Sequence, residues 1–114
     1  MKKIPLKTVE IRLRSRDDGD EPVYLDYADT ILVALEMPTD RGFTVAEMRA
    51  RLPIGDRIEK AQRADESFVL LEDAQHKKLS DLLASYPFRI SHYAVVEFVD
   101  AVANAPEVEV KEDD

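Results

Sequence analysis

The chain has no cysteine and no tryptophan, and only three glycines and two histidines among 114 residues. Without cysteine there is no disulfide, no thiolate metal site and no thiol nucleophile. Gly19, Gly42 and Gly55 are scattered, which excludes a glycine-rich loop able to cradle phosphate. His76 and His92 do not stand in a His-Glu-x-x-His spacing, and zinc needs three or four converging ligands. No Gly-x-Ser-x-Gly elbow occurs. Asp17, Asp18, Asp20 and Glu21 lack the ligand spacing of a calcium loop. No run approaches the roughly 18 apolar residues of a membrane span, and no signal-peptide apolar region follows Lys2 and Lys3. These gaps lead us to expect a soluble, cytoplasmic protein that is not an enzyme and holds no metal or cofactor.

What is present is charge in blocks. The formal net charge is −8. Residues 1–16 carry six bases and one acid, and residues 17–40 carry eight acids and no base. Residues 41–63 carry six bases and three acids, and residues 64–114 carry four bases and twelve acids. A net-acidic chain repels polyphosphate, while a local basic face can still bind one.

The apolar pattern predicts a single small α+β domain over residues 1–105. It has a two- or three-stranded sheet on four or five short helices, followed by an acidic mobile tail over 106–114. Residues 4–14 read as a strand whose alternation slips near Thr8, with Pro5 at an edge. Val23-Tyr24-Leu25 reads as the returning strand of a hairpin. Asp26 is an N-cap for a helix that runs to about Met37 and is ended by Pro38. Thr44 and Glu47 have capping-box spacing, after which Val45, Met48 and Leu52 are expected to face inward. Pro53 either kinks one helix or separates two. Phe68-Val69-Leu70-Leu71 suits a strand covered on both faces. Leu79, Leu82, Leu83 and Tyr86, and then Val95, Phe98, Val99 and Val102, each form one apolar helix face, with Asp73 and Ser91 as N-caps. His76, among Gln75, Lys77 and Lys78, is expected to face solvent.

Three surfaces follow. Tyr86, Phe88, Arg89 and Tyr93 lie in and beside the linker of the last two helices and are a candidate protein-contact patch. A protein partner is therefore the leading expectation, with a homodimer also open. The 27–72 segment has the element order of a winged helix-turn-helix, in which Arg49, Arg51, Arg57, Lys60 and Arg63 would meet nucleic-acid phosphates. The acids of residues 17–40 and of the tail would suit a mimic of nucleic acid.

Phe68 to Ala74, a short amphipathic helix and Ala94 to Asp100 together resemble small uncharacterised accessory proteins of tailed phages and prophages. The resemblance covers residues 24–102 and rests on element order. It implies a compact accessory or assembly protein that acts through protein contacts, and it transfers no site residues.

Overall fold

A computed structural model describes residues 1–13, 22–37 and 41–109. The elements are β1 (Lys2–Pro5), β2 (Thr8–Ile11), β3 (Val23–Asp26), α1 (Tyr27–Glu36), α2 (Val45–Arg63), β4 (Phe68–Leu71), α3 (Asp73–Ala84) and α4 (Tyr93–Ala103). The class is α+β, with two small antiparallel sheets rather than one.

The slip near Thr8 is a change of sheet. Before it, β1 pairs with β4, with Ile4 opposite Val69. After it, β2 pairs with β3, with Thr8 opposite Asp26. The reversal of parity lets Ile4 and Ile11 both enter the same core from different strands. The Lys3 N–H donates to the Pro106 carbonyl, while the Leu6 N–H donates to Ser67. By alternation, position 5 faces the Pro106 side, where proline has no donor to lose.

That side of β1 is taken by the start of the acidic segment. Lys2 bridges to Glu107, and the Val108 N–H donates to the Met1 carbonyl. The Glu107 carboxylate lies 3.2 Å from the Lys2 ammonium and 2.8 Å from the N-terminal ammonium. The tail expected from Pro106 therefore begins as a partner of β1, and residues 110–114 lie outside the described residues. The acidic stretch at 17–21 and the helix stop at Pro38 also lie outside them.

Asp26 caps α1 as its sequence position predicts. One carboxylate oxygen accepts from the Asp29 N–H at 2.9 Å, and the other from the Thr8 hydroxyl at 2.7 Å. The cap thus also ties β2 to the helix. Two other caps differ from expectation by one residue. Glu72 replaces Asp73, in a reciprocal box with Gln75. His92 replaces Ser91, its Nδ1 accepting from the Ala94 N–H at 3.0 Å. His76 is half-buried rather than solvent-facing. Its Nε2 lies 2.7 Å from the Val102 carbonyl, an acceptor-only group, so this nitrogen donates.

Of the two alternatives at Pro53 the single helix holds, and α2 is one 19-residue helix with Pro53 inside it. A helix-turn-helix break is not formed there. Its buried face is Arg51, Ile54, Ile58 and Ala61, and Val45, Met48 and Leu52 are exposed. The helix ends with Asp65 in the left-handed region (φ 54°). The Glu66 N–H returns to the Ala61 carbonyl and the Asp65 N–H to Gln62, which satisfies two of the last carbonyls.

One continuous core joins both sheets to all four helices. Phe98 of α4 is its largest fully buried side chain. Its ring centroid lies 4.6 Å from Tyr27 of α1 and 6.4 Å from Phe88. The Tyr27 pKa is raised, first by burial and then by the negative charge of Glu97.

Candidate protein-contact site

The α3–α4 linker and the first turns of α4 form one side of an open groove of about 780 Å³. Phe88, Ile90, Tyr93 and Val96 line it, with Leu13 beyond the end of β2 closing it. His92 sets its shape. By capping α4 it fixes where the helix starts, and therefore where Tyr93 projects. Tyr93 is 76% exposed and Val96 53% exposed. Phe88 is half-buried, edge-on to Tyr86 at 4.9 Å and to Phe98 on its core side. The groove floor is thus an extension of the core, while its rim is free apolar surface.

Of the four residues expected to form the patch, Phe88 and Tyr93 line this groove. Tyr86 packs against the core behind Phe88. Arg89 is exposed between the lining residues Phe88 and Ile90. Arg12, just before Leu13, is exposed as well. Neither arginine forms a salt bridge among the described residues.

Ile90 belongs to the apolar Pro87–Ile90 linker that the sequence offers as a partner patch, whereas Leu13 and Val96 were not expected there. A signal for Val96 was present. Only Glu97 and Asp100 are polar in Tyr93-Ala94-Val95-Val96-Glu97-Phe98-Val99-Asp100-Ala101-Val102-Ala103, more apolar residues than a one-faced helix needs.

The five bases proposed to meet phosphates divide. Arg51 is 7% exposed. Its Nε donates to Glu47 at 2.9 Å, its Nη1 to the Leu35 carbonyl at 3.3 Å, and its guanidinium lies 4.9 Å from the Phe43 ring centroid. Arg57 is half-buried and donates to the Leu70 carbonyl at 3.1 Å, bracing α2 against β4. Arg49, Lys60 and Arg63 remain exposed, with Arg63 3.8 Å from Glu59.

Glu47 holds this region together. The Thr44 hydroxyl accepts its N–H, as a capping box requires, but its carboxylate turns away to Lys78 at 2.6 Å and to Arg51. Hydrogen bonds from Lys78 and then Arg51 lower its pKa below the ordinary 4.5. A lowered folded-state pKa contributes stability that is present above the ordinary value and lost as pH falls through the folded one. Glu47→Gln is therefore expected to flatten the loss of stability below about pH 4.5. Thermal melts of both proteins across that range check this, and equal acid limbs would place the sensitivity elsewhere.

Among the described residues, no group of three or more histidine, aspartate or glutamate side chains could hold a metal ion. No helix among them is long and apolar enough to cross a membrane. Comparisons with protein families, with curated proteins and with solved structures found no match.

Proposed function

We propose that this protein is a non-enzymatic, cytoplasmic interaction module that docks a segment of another protein in the groove beside α4. The supporting observation is the placement of Tyr93 and Val96, large side chains left exposed on a rim that continues into the core through Phe88. Aromatic side chains at such positions supply much of the energy of protein contacts. Arg12 and Arg89, both next to lining residues in the chain, favour a partner segment with apolar side chains between carboxylates. The resemblance of its element order to that of small phage accessory proteins would suit an accessory or assembly role of this kind.

Affinity co-purification from the source cell tests this reading with two baits, the native chain and Tyr93→Asp/Val96→Asp. Both positions are exposed, so the variant is expected to fold. A protein retained by the first bait and lost by the second supports the reading. Equal retention by both rejects it.

Arg49, Lys60 and Arg63 favour a second reading, nucleic-acid binding along the exposed face of α2. It requires binding of labelled duplex DNA that weakens log-linearly with salt.

A further inference from the structure

The exposed face of α2 carries a second apolar surface, separate from the groove. Val45 is 61% exposed, Met48 42% and Leu52 62%. At 3.6 residues per turn they fall within about 60° of one another, a single stripe over two turns. Beside Leu52, Gly55 leaves a hollow bordered by Leu32 and Leu35, whose nearest side-chain atoms lie 3.9 Å from where a Cβ would stand.

The charges around this stripe complement themselves. Arg49 and Asp56 are both exposed, and neither is in a salt bridge among the described residues. They stand seven residues apart, about 10 Å along the axis and on the same flank of the stripe. Their midpoint falls beside Leu52. A two-fold axis at that point, perpendicular to the helix, sets two copies of α2 antiparallel. It brings Arg49 of each copy opposite Asp56 of the other, so one geometry makes two ion pairs. A parallel pair would instead set like residues level with one another, which leaves both charges unmatched.

We propose that two copies of this chain associate through α2, antiparallel, with the two Leu52 side chains meeting at the centre, Met48 and Val45 of each copy running outward over the Arg57 and Lys60 stems of the other, and reciprocal Arg49–Asp56 pairs at the edge. An isologous contact of this kind uses the same patch twice and closes, as most homodimers do. Its apolar centre and paired rim follow the usual anatomy of a protein interface. The inference goes beyond the docking groove and does not depend on it.

Sedimentation equilibrium over a concentration series tests it directly. The native chain is expected to reach twice the monomer mass. Arg49→Asp and Asp56→Arg, each of which sets two like-charged pairs face to face, are expected to weaken association at least about tenfold. The double exchange Arg49→Asp/Asp56→Arg is expected to restore it. Leu52→Asp is expected to give monomer with an unchanged circular dichroism spectrum, because Leu52 makes no core contribution. The chain has no cysteine of its own, so Leu52→Cys offers a second readout. Mild oxidation is expected to link copies through Cys at 52 and not through Cys at the equally exposed Val33. A native chain that stays monomeric at every concentration overturns the proposal. So does a dimer indifferent to the charge exchange and to Leu52→Asp.

Discussion

Replacing Phe98 by alanine is expected to lower stability by about 3–5 kcal/mol, the usual cost of deleting a buried phenyl ring. Phe98 is fully buried, and its ring touches Tyr27 of α1 on one side and Phe88 of the linker on the other. The deletion therefore leaves a void where three segments meet, and none of them can close it alone. Urea unfolding followed by circular dichroism measures the effect. A loss under about 1 kcal/mol would mean that the Phe98 ring is not packed between Tyr27 and Phe88 as described. The same variant is expected to loosen the floor of the groove, since Phe88 rests on the ring that is removed.

The second large effect separates the two faces of α2. Ile54→Ala is expected to cost about 2–5 kcal/mol, because Ile54 is fully buried. Leu52→Ala is expected to change the stability of the monomer by no more than about 0.5 kcal/mol, because its side chain is mostly in solvent. The measurement belongs at low protein concentration, where self-association does not add to it. If Leu52→Ala were the costly change, the helix would be rotated from its described position.

That pair also marks where the sequence stops being legible. Two apolar phases run along α2, one through Val45, Met48 and Leu52 and one through Ile54, Ile58 and Ala61. The second phase includes Arg51, and an arginine ordinarily argues for a solvent face. Its burial depends on Glu47, on the Leu35 carbonyl and on the Phe43 ring. Two of these three come from outside the helix, so no helical periodicity could show them. The Pro53 question has a related answer. Proline removes one backbone donor, and the packing of Ile54 and Ile58 keeps the helix continuous across that gap.

Elsewhere the local signals were enough. Asp26 caps α1, Thr44 caps α2, and the faces through Leu79 and Leu83 and through Phe98 and Val102 enter the core. Long periodic segments and caps depend on neighbours in the chain, and these read to within one residue, Glu72 and His92 capping where Asp73 and Ser91 were expected. The division of the strands into two sheets depends on partners more than 60 residues away, such as Val69 for Ile4, and a slip in alternation was its only trace. The groove was half legible. Phe88 and Tyr93 stood out as aromatics beside a linker, whereas Leu13 joins them only through the tertiary fold.

Whether a protein partner is held in the groove beside α4 is decided at a single position. Tyr93 is replaced by a photo-reactive phenylalanine analogue, and Tyr24 is replaced likewise as the control. Tyr24 is 60% exposed and does not line the groove. On irradiation in the source cell, position 93 is expected to give one discrete cross-linked protein, joined through a segment with apolar side chains among carboxylates. Position 24 is expected to give none. No cross-link from position 93, or the same products from both positions, would mean that the groove holds no protein partner.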